Sequence, residues 1–105
     1  MSSALVGLAG GMMFWPGNVE KPPDQYMNGN PVAKVKEYRT NDEIHKRCTS
    51  LLGGLANPYA RFLGCYDPQS NVIVVPTQDG SWIAKALMIH ERAHEYGWRH
   101  QQKDW

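Results

Sequence analysis

The sequence predicts a single α+β domain, with a short mixed or antiparallel sheet packed on a central helix and a second helix beside it. Three observations predict it. The β-branched block Val72-Ile73-Val74-Val75 lies across a polar turn from a second apolar run. A segment beginning at Thr40 carries apolar residues at helical spacing, and a longer one from Trp82 to Tyr96 is apolar around most of its circumference. The chain has 105 residues, which fits one domain and a modest core.

The first 31 residues read as an irregular leader or arm, and 32–105 as the core. Met1 to Val19 carries no charge and is largely apolar from Ala4 to Trp15. It lacks the basic start and the small-residue cleavage site of an export signal, so a structural arm or leader is the preferred reading. The compartment is left open, with the cytoplasm slightly ahead of export. Pro16 to Pro31 is rich in Pro, Gly and Asn and reads as an irregular linker or covering loop. Val32 to Arg39 alternates apolar and charged residues, the pattern of a strand.

Thr40-Asn41-Asp42-Glu43 offers a capping box, and Ile44, Cys48, Leu51 and Leu55 follow at helical spacing. This predicts a helix over 41–52, stopped by Gly53-Gly54. Arg61 to Tyr66 and Val72 to Val75 form a hairpin around Asp67-Pro68-Gln69-Ser70-Asn71, and Pro76 ends the second strand. Asp79 or Ser81 then caps a helix over 82–96, which should be central and buried because so little of its surface is polar.

Eleven Lys and Arg against ten Asp and Glu leave a formal charge of +1, which removes the electrostatic case for nucleic acid or a polybasic membrane contact. No stretch reaches the roughly 20 apolar residues of a membrane span. Cys48 and Cys65 can pair in an oxidising compartment or stay as small buried thiols, and the thiol reading is placed first.

The chemistry lies on the last helix. His90 and His94 are four residues apart, so both imidazoles share one face and can reach one metal ion. Glu91, rotated about 100° from His90, places a carboxylate beside that ion. A straight helix would carry position 100 about 9 Å beyond His94 along the axis. Gly97 can end the helix at positive φ and let His100 fold back. Three imidazoles leave a fourth tetrahedral position for water, the arrangement of a catalytic zinc site. With 4 His and 5 Glu in the chain, the full pattern arises by chance on the order of once in tens of thousands of shuffled sequences.

The stretch His90-Glu91-Arg92-Ala93-His94-Glu95-Tyr96-Gly97-Trp98-Arg99-His100 resembles the H-E-x-x-H-x-x-G-x-x-H signature of metzincin-type zinc metallopeptidases of the zincin fold. The resemblance implies a compact zincin-like fold, His90, His94 and His100 as ligands of one zinc ion, and Glu91 as general base and proton shuttle. It implies a peptide or protein substrate, and a strand near the cleft, matched here to Val72–Val75, that pairs with extended peptide along its edge. The family continues into a methionine-containing turn beneath the metal. Here five residues follow His100, so the apolar floor is expected from Met12, Met13, Met27 or Met88 and the rest of the cleft from the N-terminal part.

Blander readings stand beside these. His90 and His94 could be hydrogen-bonded core histidines, His100 an exposed residue near a terminus, and Glu91 a carboxylate that only orients a structural metal. His45, beside Lys46 and Arg47, reads as a surface residue, and Cys48 as a core thiol rather than a latent ligand. Tyr59, Tyr66 and Tyr96 are equal candidates to stabilise an oxyanion. Trp82 and Tyr96 default to packing, while Trp98, Arg99 and Trp105 could line a cleft or dock a terminal segment. Two further readings of function are a noncatalytic zinc-binding interaction module and a hydrolase of nonpeptide amides.

Overall fold

Thr40 opens the first helix as its sequence requires. Its hydroxyl accepts from the Glu43 backbone N–H at 3.1 Å, and the Glu43 carboxylate accepts from the Thr40 N–H at 3.1 Å. Helix α1 then runs Asn41–Leu52 and stops at Gly53, whose φ of +83° is open to glycine and costly for other residues. The computed structural model describes residues 15–100. The reading of residues 1–14 as leader or arm, the proposed floor residues Met12 and Met13, and Trp105 fall outside the described residues.

Three strands follow the sequence pattern: β1 (Lys34–Tyr38), β2 (Cys65–Asp67) and β3 (Val72–Pro76). Their order is β1-β3-β2, with β1 parallel to β3 (Val35 opposite Ile73) and β2 antiparallel to it (Tyr66 opposite Ile73). The sheet is therefore mixed. The hairpin turn is held by Asp67, whose carboxylate accepts from the Gln69 N–H and the Ser70 hydroxyl, while Asn71 takes a φ of +55°. Helix α2 spans Trp82–Glu95 and is capped by Ser81, whose hydroxyl accepts from the Ala84 N–H. The domain is α+β, as the sequence predicts.

The strand β3 is the centre of the molecule. Ile73, Val74 and Val75 are fully buried, and alternation along the strand sends them to two different cores. Val72 and Val74 pack with Ile44 and Cys48 of α1 and with Phe62 and Cys65. Ile73 and Val75 pack with Ala33 and Met88 of α2. The two helices thus cover opposite faces of the sheet. Helix α2 is largely covered, as its apolar circumference predicts, with only Ile83 and Lys85 exposed along its length. Part of its remaining surface is covered by the segment 15–19, where Val19 packs on Ala86 and Leu87 and Trp15 stands edge-on to Trp82 at 5.3 Å.

Two further expectations change. Cys48 and Cys65 form a disulfide, because α1 and β2 bring their Cα atoms to 6.0 Å inside the first core. The thiol reading placed first is overturned. The first strand of the hairpin is also shorter than 61–66. The ladder ends at Cys65 opposite Val74, and residues 61–64 run outside the sheet as a lining of the cleft described below. Among the described residues no helix is long and apolar enough to cross a membrane.

The start of β1 is tied to the end of α2 by Glu95. Its carboxylate accepts from the N–H groups of Val32 (2.8 Å) and Ala33 (2.7 Å) and from Arg92 (2.8 Å). Burial pushes this carboxyl up, but the Arg92 and backbone hydrogen bonds together outweigh it and hold the group below the usual range.

Candidate metal centre

His90 and His94 lie on successive turns of α2, both 6% exposed, with their Nε2 atoms 3.1 Å apart. Each ring is oriented from its other nitrogen. His90 Nδ1 lies 2.7 Å from the Glu20 carbonyl and His94 Nδ1 lies 2.8 Å from the Trp98 carbonyl. A carbonyl only accepts, so both Nδ1 atoms carry the proton and both Nε2 atoms of the neutral rings present lone pairs. Two lone pairs at 3.1 Å need a positive charge between them, which either a shared proton or a bound metal ion supplies. Two nitrogens bound to one tetrahedral ion at 2.0–2.1 Å would stand about 3.4 Å apart, so the pair is close to ligating geometry.

The third histidine is delivered by the helix ending. Gly97 takes a φ of +111°, its N–H bonds to the His94 carbonyl at 3.1 Å, and the Trp98 N–H reaches back to the Ala93 carbonyl at 3.0 Å. These are the paired 5→2 and 6→1 bonds of a Schellman ending, which reverses the chain. Trp98 then stacks on the His94 ring, with centroids 4.8 Å apart and planes 8° off parallel. Arg99 secures the turn by donating to the carbonyls of His94 (2.9 Å) and Trp98 (2.7 Å). The His100 ring arrives 5.1 Å from that of His90 and 4.7 Å from that of His94. One ring nitrogen from each of His90, His94 and His100 lies within 4.8 Å of the others, a group able to hold a metal ion. The structure brings together all three residues that the spacing singled out. His100, whose side chain is 9% exposed, is not a loose terminal residue.

Glu91 lies on the same helix and is almost completely buried, 2% exposed. Gly64 packs beside it so closely that a Cβ there would stand 3.4 Å from Glu91 Oε2 and 3.0 Å from the Val74 carbonyl. Glu91 Oε1 has no hydrogen-bond partner among the described residues. Burial raises this carboxyl well above the ordinary glutamate range. A residue with a buried, unpartnered oxygen that lines the same cleft as His90 and His100 fits a site built around a cation and its water.

His90, Glu91 and His100 open on a cleft of about 1000 Å³. Its lining includes the N-terminal segment with Val19, Glu20 and Lys21, and the stretch Arg61 to Gly64. The N-terminal part therefore completes the cleft, as expected. Val72–Val75 does not serve as an edge beside it, because β3 is the middle strand with a neighbour on either side. The cleft wall is instead the chain that leads into β2. Met88 supplies no floor, since it packs on Ala33, Ile73 and Val75, and Met27 does not line the cleft.

The tyrosine candidates separate. The Tyr66 hydroxyl donates to Asn71 at the hairpin, and Tyr96 packs over Gly29, where a Cβ would collide with its ring. Neither lines the cleft. Tyr59, 92% exposed, lies on the loop whose Asn57 and Ala60 do. His45 is half-buried rather than a free surface residue: its Nδ1 accepts from the Phe62 N–H at 3.0 Å and steadies the cleft wall. Sequence reasoning missed Glu20, Gly64 and Glu95. Glu20 reaches the site across 70 and 80 residues of chain, a separation at which no spacing rule operates. The chain matches no protein-family model, no curated protein and no solved structure.

Proposed function

We propose that this chain is a zinc-dependent metallopeptidase, with His90, His94 and His100 holding one zinc ion and Glu91 acting as general base. The observation that carries the reading is the convergence of three imidazoles at a cleft that is also lined by Glu91, a buried carboxyl with one oxygen unpartnered among the described residues. A zinc ion so held supplies Lewis-acid polarisation of a carbonyl and acidifies water. Zinc is the ion proposed because imidazole donors suit it among the transition metals and the 3.1 Å separation of the His90 and His94 nitrogens is near that of a tetrahedral site.

The chain's own part is to position and move protons. The carbonyls of Glu20 and Trp98 fix the tautomers of two ligands, so that each turns Nε2 inward. Glu91 takes a proton from the attacking water as oxygen bonds to the scissile carbonyl carbon. It then gives that proton to the departing amine as the C–N bond breaks, so the carboxylate is regenerated and no redox partner is needed. Phe62, Leu63 and Leu87 give the cleft an apolar lining.

Glu91→Gln tests the reading because it preserves size and removes the base. The variant should bind zinc as the parent does, in elemental analysis, and lose about 10²–10⁴-fold in hydrolysis of a quenched fluorescent peptide library. Equal behaviour of variant and parent would favour a noncatalytic zinc-binding interaction module.

A further inference from the structure

Glu20 touches two of the three histidines by two different groups. Its carbonyl accepts from His90 Nδ1 and its carboxylate lies 2.7 Å from His100 Nδ1. The backbone there has little freedom. Val19 is buried against Ala86 and Leu87 and gives its carbonyl to the Trp15 indole N–H at 2.5 Å; Pro22, two residues on, is fully buried. The carboxylate is different: the Glu20 side chain is 64% exposed and could face water, yet it turns inward onto His100. His100 sits past the end of α2, where no helical hydrogen bonds fix its ring.

We propose that Glu20 is the positioning residue of the metal centre, selecting Nε2 of His100 as the third ligating atom and holding that ring in place. Bonding at Nδ1 leaves Nε2 for the ion and raises its basicity, the role that carboxylates play behind metal-bound histidines. The strap from Trp15 to Pro22 is then part of the centre, because its anchoring on α2 places Glu20 over His90 and His100. This inference rests on the three histidines forming a metal centre and is independent of whether that centre cleaves peptides.

The test compares the parent, Glu20→Ala, Glu20→Gln and His94→Ala in the full chain. Zinc affinity is read by competition with a chromophoric chelator, and ligand geometry by the visible spectrum of the cobalt(II)-loaded protein. Glu20→Ala should weaken zinc about 10–100-fold and alter the cobalt bands, while Glu20→Gln, which keeps an acceptor, should lose less. A merely structural residue would change neither the cobalt spectrum nor the ordering of the two variants. Parent-like affinity and spectrum in Glu20→Ala, with His94→Ala unable to bind, would overturn the positioning role and leave the metal centre standing. Failure of the parent to bind zinc in a His94-dependent way would overturn both.

Discussion

The two halves of the candidate metal centre are built by different physics. His90 and His94 are placed by the pitch of one helix, and any chain that forms α2 brings them together. His100 and Glu20 come from opposite sides of the sequence, separated by 80 residues, and meet only because a glycine turn returns one while a buried valine and proline hold the other. The first half is local and tolerant. The second depends on tertiary structure, so small changes far from the histidines should reach it.

Replacing a ligand in each half should have the largest and most unequal effect. His94→Ala removes one of the paired nitrogens and should reduce bound zinc from about one per chain to near zero after dialysis, read by elemental analysis. His100→Ala should keep the helical pair and retain weak zinc binding, detectable by titration calorimetry. Equal losses would erase the distinction.

Opening the disulfide sharpens the contrast from the other side of the sheet. Cys48 and Cys65 close a loop of 17 residues, for which cross-linking contributes about 3 kcal/mol. A Cys48→Ser, Cys65→Ser variant should therefore melt more than 10 °C lower by circular dichroism. Its zinc affinity should stay within about threefold of the parent, since no ligand lies on α1 or β2.

Gly97→Ala acts on the assembled half alone. A Cβ at a φ of +111° costs about 1–2 kcal/mol, and relief of that strain would unwind the turn that returns His100. We expect a melting point several degrees lower together with weakened zinc binding, whereas α2 up to His94 should keep its helical signal in NMR chemical shifts. The smallest effect concerns the cleft lining at Arg61. The Arg61 guanidinium, followed by Lys46, holds the Asp42 carboxyl below its ordinary value. Whatever stability this pair contributes is present above the ordinary aspartate range and is lost as pH falls through the lowered value. Asp42 is exposed, so the contribution is screened; an NMR titration should show its midpoint move back up in Arg61→Met and in high salt.

Much of this architecture was legible in the sequence where local rules operate. The Thr40–Glu43 box, the Gly53 stop, the Ser81 cap and the turn at Asn71 follow from side-chain hydrogen bonding and glycine or asparagine conformations within four residues. The same reach extends to His90, Glu91 and His94, and Gly97 explains how His100 can join them. What stayed hidden depends on which faces meet. The helical pattern of α2 could not say that β3 would have both faces buried. Nor could composition say that Cys48 and Cys65 would face each other across the core, since pairing depends on how α1 lies over β2. Glu20 offered no signal at all in a loop of prolines and lysine, because its function is conferred by partners distant in the chain.

The glycine turn after α2 carries one more consequence. Because it swings residue 100 back over residue 20, an ion seated there would fasten the chain's early and late stretches to each other, as a clasp closes a necklace. Loading with metal should then slow trimming of both ends by an added protease at once, while the middle of the chain, already riveted by its sulfur bridge, would register almost nothing.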